Sequence, residues 1–145
     1  MLERTRARRQ ALNILYQREI TADTVDGILE ACSFNLEDDV PLEFCLTLVS
    51  GVGSHQSEID VVLSDISEHW TVARMPLVDR SILRMAVYEI LFLDDVPDSV
   101  SINEAVEMAK TYGGDDSSKF VNGVLGRLAE ENSSSDEGGV TSKDG

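Results

Sequence analysis

Residues 76–97 read PLVDRSILRMAVYEILFLDDVP, and this stretch decides the fold. Its apolar side chains recur every three or four residues, as they do on the buried face of an amphipathic helix. The stripe comprises Ile82, Leu83, Ala86, Ile90 and Leu93. Pro76 and Pro97 bound the segment, because proline lacks a backbone N–H and disfavours helical geometry in the residue before it. The sequence therefore predicts one long helix between two proline breaks.

The same spacing recurs along the rest of the chain. Six further apolar stripes lie at residues 7–15, 25–32, 42–49, 59–66, 102–109 and 120–128. Sustained period-two alternation of β-branched residues is missing, so no sheet is expected. Gly51 and Gly53 interrupt the third run and predict a kink or a break there. The predicted fold class is all-α, with about seven helices.

Capping residues and glycines predict where these helices begin and end. Ser101-Ile-Asn-Glu104 has the spacing of a capping box, in which the serine and the glutamate satisfy free amides at a helix start. Gly113 and Gly114 end that helix, and the Asp115-Asp116-Ser117 segment opens the last one.

The chain is predicted to be one domain built from two small helical bundles. The stretch from Trp70 to Pro76 separates them, at about residues 1–72 and 73–131. Residues 132–145 are serine, glycine and acid with almost no apolar side chains, so this acidic tail is predicted to be disordered.

Charge is unevenly distributed along the chain. The formal net charge is −15, which by itself argues against nucleic-acid binding. Four arginines nevertheless crowd into the first nine residues: Arg4, Arg6, Arg8 and Arg9. Cations at the N-terminal end of a helix are unfavourable because that end is already partly positive, so the cluster points to an external polyanion. A solvated basic end without a ligand fits the residues equally well.

A second candidate contact lies in the Ser117–Gly123 segment. Lys119 is suited to a phosphate, and Phe120 to an unstacked base. Phe120 also belongs to an apolar stripe, which favours a place in the core. Tyr16 and Asp79 are polar positions beside apolar stripes, so they are candidates for the rim of a protein interface, with ordinary surface positions as the alternative.

Enzyme, metal and cofactor sites find no support in the sequence. No phosphate-binding loop, dinucleotide fingerprint or metal-ligand spacing is present. Cys32 and Cys45 lie in apolar patterns and are predicted to be small buried thiols in a reducing cytosol. Neither a signal peptide nor a transmembrane run is apparent, so a cytoplasmic location is expected.

Three segments resemble the NusB antitermination family in their order and spacing: Val78–Glu89, Val96–Lys110 and Ser118–Leu125. The run Arg6–Tyr16 looks like the first helix of that family, and the match covers about residues 4–130. The resemblance implies a fold of two helical subdomains and a non-enzymatic factor. It also implies binding of boxA RNA, chiefly of ribosomal RNA operons, in a heterodimer with the ribosomal protein NusE that helps RNA polymerase read through terminators.

The resemblance also implies roles for individual residues. The arginine-rich start maps to Arg4, Arg6 and Arg8, with Arg9 adjacent, and the C-terminal RNA contact maps to Lys119 and Phe120, with Asp116 nearby. The positions that face NusE map to Tyr16 and Asp79. Two alternatives remain: a homodimeric helical scaffold whose RNA binding is masked or lost, and an RNA-binding module that serves a methyltransferase. A fused enzyme is not expected, because no cofactor-binding αβ segment is present.

Overall fold

The computed structural model describes residues 2–22, 24, 26–28, 40–67 and 70–137. Within them lie five α-helices, α1 (Leu2–Thr21), α2 (Glu43–Ile66), α3 (Leu77–Phe92), α4 (Asp98–Tyr112) and α5 (Ser117–Glu137), together with a 3-10 turn at Val72–Arg74. No strand occurs in the described part of the chain, and the predicted all-α class is confirmed. None of the described helices is both long and apolar enough to span a bilayer.

Helix α3 is the centre of the fold. It packs against each of the other four described helices. Four of the five residues of its predicted stripe are buried, with Ile82 and Leu83 fully enclosed and Ala86 and Ile90 nearly so. The helix ends at Phe92, before Pro97, so the fifth residue, Leu93, lies just past it and is partly buried. Pro76 is the residue that precedes its first turn, as the proline boundary predicted. The stretch that was expected to be one long helix is therefore also the element around which the core forms.

Two predicted helical runs, 42–49 and 59–66, form a single helix, α2. The helix is kinked at His55, whose backbone (φ −117°, ψ 18°) is not helical. Gly51 does not break the helix. It lies so close to the ring of Tyr88 on α3 that an added Cβ would overlap it. Gly51 therefore allows α2 and α3 to approach closely, and the kink at His55 lies one turn further along α2.

The buried core is continuous across the seam predicted at Trp70–Pro76, since it joins side chains of α1 and α2 to those of α3, α4 and α5.

Helix α5 runs to Glu137, beyond the boundary predicted at Asn132, because extending an existing helix by a turn is far easier than starting one. Residues 138–145 of the predicted tail lie outside the described residues. So do Cys32 and most of the helix predicted at 25–32.

A buried ion pair connects three helices. The guanidinium of Arg8 on α1 makes two hydrogen bonds to the carboxylate of Glu89 on α3, of 2.9 and 2.8 Å. From α4, Ser101 donates a hydrogen bond to Glu89 (2.8 Å), and Glu104 accepts a longer one from Arg8 (3.4 Å). Burial by itself lowers the pKa of Arg8, but the hydrogen bonds and charges of Glu89 and Glu104 together outweigh it, so the pKa is raised.

The capping box predicted at Ser101 and Glu104 is therefore wrong. Helix α4 begins at Asp98, directly after Pro97, so both residues lie inside the helix. Their spacing places them on one face of α4, and that face meets the Arg8–Glu89 pair. A serine and a glutamate three residues apart often cap the start of a helix. In this protein the two side chains complete a buried polar network instead.

We predict that Arg8→Ala destabilises the fold by about 3–5 kcal/mol, because it leaves the charge of Glu89 buried without its partner. Urea unfolding followed by circular dichroism measures this change. Arg9→Ala is the matched control. Arg9 is exposed on the next position of the same helix, so its loss changes the unfolding free energy by about 0.5 kcal/mol at most. Equal effects of the two substitutions would contradict the anchoring role of Arg8.

We also predict that Cys45 is chemically inert in the folded protein. Burial raises the pKa of its thiol to about 12, so the reactive thiolate is scarce at neutral pH. A Cys32→Ser variant isolates Cys45. A thiol-specific disulfide reagent at pH 8 modifies this variant quickly in urea and very slowly without it. Equal rates in the two conditions would show that the thiol is accessible in the native state.

Candidate nucleic-acid interface

The four arginines at the start of α1 do not share one environment. Arg4 is exposed, pairs with Asp95 (3.1 Å) and lies over the ring of Phe44, 4.3 Å from its centroid. Arg9 is exposed and Arg6 is half-buried, whereas Arg8 is only 3% exposed. The structure therefore presents Arg4, Arg6 and Arg9 on the surface and uses Arg8 inside the fold.

Helix geometry explains this division. Successive residues of an α-helix point about 100° apart, so neighbouring arginines cannot share one face. The buried face of α1 carries Ala7, Ala11, Leu12 and Leu15, and Arg8 belongs to it. The four arginines that are close together in sequence therefore have two roles: Arg8 is part of the buried structure, and the other three lie on the surface.

The second predicted contact lies at the start of α5. Asp116 and Lys119 are exposed, and Phe120 is half-buried, so Phe120 is partly in the core and partly at the surface. Its ring meets the edge of Trp70 at a centroid distance of 6.0 Å. Asp116, Lys119 and Phe120 therefore lie together at the start of α5, as their closeness in sequence requires, and their role in binding RNA stays a prediction.

The two candidate contact surfaces lie towards opposite ends of α3. Arg8 pairs with Glu89 near the end of α3, whereas Ser117, which begins α5, bonds to Asp79 near its start. Ten residues separate Asp79 from Glu89, which corresponds to about 15 Å along a helix axis. One ligand that contacts both surfaces must therefore be extended.

Tyr16 and Asp79 lie in different surroundings. Tyr16 is 38% exposed on α1. Asp79 is 4% exposed and accepts a hydrogen bond of 2.7 Å from the Ser117 hydroxyl, which accepts one from the Gly114 amide (2.9 Å). The structure therefore places Asp79 inside the fold, where it supports the turn between α4 and α5.

The structure also reveals a second ionic cluster, at the other end of α1. Arg84 on α3 makes two 2.9 Å hydrogen bonds to Asp60 on α2, and Arg80 bonds to Glu19 on α1 at 2.7 Å. Burial lowers the pKa of Arg18 beside them, and the positive charge of Arg84 lowers it further. No local sequence pattern identifies these pairs, because their partners lie 24 to 65 residues apart along the chain.

Trp70 is the residue near this surface that the sequence analysis missed. It is the only tryptophan of the chain and is 46% exposed, although large aromatic side chains are usually covered. A lone tryptophan between polar residues is the signal that would have found it. Within the residues that the structure describes, no group of three or more His, Cys, Asp or Glu side chains is placed to hold a metal ion.

These features define a small helical domain whose exposed cations and aromatic rings are suited to recognition. The chain belongs to the NusB family, whose family model matches residues 5–130. It is 44% identical to the transcription antitermination protein NusB of Pelotomaculum thermopropionicum, covering 89% of this chain and 90% of that protein. It is 42% identical to NusB of Oceanobacillus iheyensis, covering 88% and 98%. The predicted family is confirmed, and so is the prediction that the chain is not an enzyme.

Solved structures agree with this assignment. The structure of T. maritima NusB superposes with a TM-score of 0.76 at 37% identity, covering 88% of this chain and 91% of that one. A second match is the structure of antitermination factors NusB and NusE in complex with dsRNA. It has a TM-score of 0.73 at 27% identity and covers 90% of this chain and 98% of that one.

Proposed function

We propose that this chain is a transcription antitermination factor that binds boxA RNA together with NusE and promotes read-through by RNA polymerase, chiefly in ribosomal RNA operons. The observation that carries the proposal is the exposure of Arg4 and Arg9 at the start of α1, in a chain whose net charge is −15. The related NusB that has been solved with NusE and RNA supports it. Because RNA polymerase and ribosomal proteins work there, the proposal places the protein in the cytoplasm.

Phosphate groups supply the first part of the interaction. Arg4 lies in the first turn of α1, where free backbone amides are already partly positive, and Arg6 and Arg9 add cations within the next turn and a half. The amides and the guanidinium groups attract the same anion. Arg8 is assigned a different role: it anchors the helix that carries the other three. Affinity supplied by these cations falls as the salt concentration rises.

The start of α5 supplies contacts to bases. Lys119 reaches a phosphate, and the exposed part of the Phe120 ring offers a face to an unstacked base. The Asp116 carboxylate repels phosphates but accepts hydrogen bonds from the amino groups of bases. An RNA strand that meets both surfaces is therefore held by phosphates at one end and by bases at the other.

NusE is proposed to dock beside the RNA, at the exposed face of α1 that carries Tyr16. Each bound ligand then raises the local concentration of the other, so the complex of three forms more readily than either pair. Asp79 contributes from within the fold and not by contact, because its carboxylate is committed to Ser117.

We predict that a fluorescently labelled single-stranded boxA RNA binds this protein more tightly when NusE is present and more weakly when salt is raised. Arg9→Ala lowers the affinity and reduces the slope of log K against log salt by about 0.7, the value for one phosphate contact to a single strand. Fluorescence anisotropy at several salt concentrations measures both quantities.

Lys110→Ala is the matched control for this experiment. Lys110 is also an exposed cation, on α4, and it pairs with Glu107. Its loss leaves the salt slope unchanged. If the wild-type protein ignores the RNA in every condition and sediments as a dimer, the result favours the alternative, a homodimeric scaffold with a covered RNA surface.

The different burial of Tyr16 and Asp79 leads to another prediction. Tyr16→Ala weakens NusE binding and leaves the melting temperature unchanged. Asp79→Ala lowers the unfolding free energy by about 1–3 kcal/mol, because the Ser117 hydroxyl loses its buried acceptor. Calorimetry of NusE binding and thermal unfolding separate the two effects. Undiminished NusE affinity of the Tyr16→Ala variant would remove this face of α1 from the interface.

A further inference from the structure

One of the exposed arginines at the start of α1 is already paired with a carboxylate of the same chain. The Nη2 atom of Arg4 donates a hydrogen bond of 3.1 Å to the Oδ2 atom of Asp95, in the turn that joins α3 to α4. The guanidinium also lies over the ring of Phe44, 4.3 Å from the ring centroid. Arg4 is therefore held from two sides, by an aromatic ring and by a negative charge.

This contact is the exposed counterpart of the buried Arg8–Glu89 pair. Arg4 and Arg8 are one helical turn apart, so they share a face of α1, and both guanidinium groups lie over the Phe44 ring. The side chains of Arg8 and Glu89 are 3% and 2% exposed, whereas those of Arg4 and Asp95 are 44% and 66% exposed. The inner pair is closed off from solvent, but water or another anion can reach the outer pair.

The charges around Arg4 determine what an approaching phosphate meets. The guanidinium of Arg4 and the carboxylate of Asp95 sum to zero, and each has an exposed acidic neighbour in sequence, Glu3 and Asp94. While the pair is closed, a phosphate that approaches this end of α1 gains no net attraction from Arg4. It must replace the Asp95 carboxylate, which already makes the same kind of charge-assisted hydrogen bond to the guanidinium.

We propose that Asp95 occupies the place of an RNA phosphate on Arg4 in the free protein, and that RNA displaces it on binding. The inference rests on the proposed function and adds to it a residue of this chain that lowers the affinity for RNA. Exposed ion pairs change an equilibrium by about fivefold at most, so Asp95 weakens binding without preventing it.

The competition favours ligands that reach several sites at once. Because Asp95 is tethered beside Arg4, its carboxylate competes at a high effective concentration against a small anion that meets Arg4 alone. A single strand that also contacts Arg9 and Lys119 is itself tethered once those contacts form, so its phosphate competes on equal terms. Asp95 thus acts as a filter against short or isolated anions.

Removal of the charge at Asp95 tests the proposal. Asp95→Asn removes the negative charge and keeps a residue that suits a turn. We expect the full-length variant to bind a labelled single-stranded boxA RNA about two- to fivefold more tightly than the wild type at low salt. The gain is expected to shrink as salt rises, because screening weakens the exposed pair in the wild type as well. Fluorescence anisotropy measures both quantities, and thermal unfolding checks that the variants are folded.

Asp94→Asn is the matched control for this substitution. Asp94 is exposed in the same turn, but the ion pair of Arg4 is made by Asp95 and not by Asp94. Both substitutions change the net charge equally, so the control measures the general effect of one negative charge fewer in this turn. We expect Asp94→Asn to bind the RNA nearly as the wild type does.

A second comparison shows whether Asp95 acts through Arg4. If the carboxylate lowers affinity by occupying the guanidinium, its removal brings no further benefit once Arg4 is absent. We therefore expect Asp95→Asn to tighten binding in the wild-type background. In the Arg4→Ala background, its effect should fall to that of Asp94→Asn.

The possible outcomes distinguish this proposal from the function on which it rests. Equal gains from Asp95→Asn and Asp94→Asn, or a gain that persists without Arg4, would show that Asp95 contributes only general repulsion. Weaker RNA binding by Asp95→Asn would show that the carboxylate orients Arg4 for the RNA. Each of these results overturns the proposal and leaves the proposed function standing, because the RNA is still bound. If neither the wild type nor Asp95→Asn binds the RNA, with or without NusE, both proposals fail together.

Discussion

The buried pair of Arg8 and Glu89 is the interaction on which the rest of the structure depends. It joins α1 to α3, and through Ser101 and Glu104 it includes α4. Because α3 contacts all the other described helices, fixing α1 to α3 fixes its orientation relative to the whole core. One anchored arginine also determines where its neighbours point. Arg6 and Arg9 are presented outwards because Arg8 is held inwards.

A second ionic cluster secures the other end of α1. Glu19 pairs with Arg80 and Arg84 of α3, and Asp60 of α2 pairs with Arg84. Buried ion pairs add little net stability compared with well-packed apolar residues, but a charge without its partner is strongly unfavourable. A rotation or slip of α1 by one residue would separate charges at both ends. The helix that carries the proposed phosphate contacts is therefore held in a single register.

The sequence was sufficient to predict the fold class and the central helix, because both follow from apolar periodicity over long segments. It was less informative about polar side chains, whose role depends on which other helix they meet. Ser101 and Glu104 have the spacing of a helix cap, but both contact the buried ion pair instead. Ser101 bonds to Glu89, 12 residues away in sequence, and Glu104 bonds to Arg8, 96 residues away. Arg8 looks like its neighbours in sequence and differs from them only in the face it occupies. Asp79 reads as a surface position and is covered by the start of α5.

The candidate site was predicted to the extent that its residues are adjacent in sequence. Asp116, Lys119 and Phe120 lie within two turns of one another, and the structure keeps them together. Trp70 joins them only through its contact with Phe120 across 50 residues of sequence, which no local pattern encodes.

The distance along the chain between Arg8 and Glu89 has a consequence for how the protein is made. The two residues are 81 positions apart, so at roughly 5–20 residues per second the ribosome completes Glu89 about 4–16 seconds after Arg8. During that interval Arg8 has no carboxylate from α3 to pair with, so the orientation of α1 in the core cannot yet be fixed. The start of the chain therefore takes its native place only after the middle of the chain has been made, so the first helix to be synthesised is not the first to be fixed.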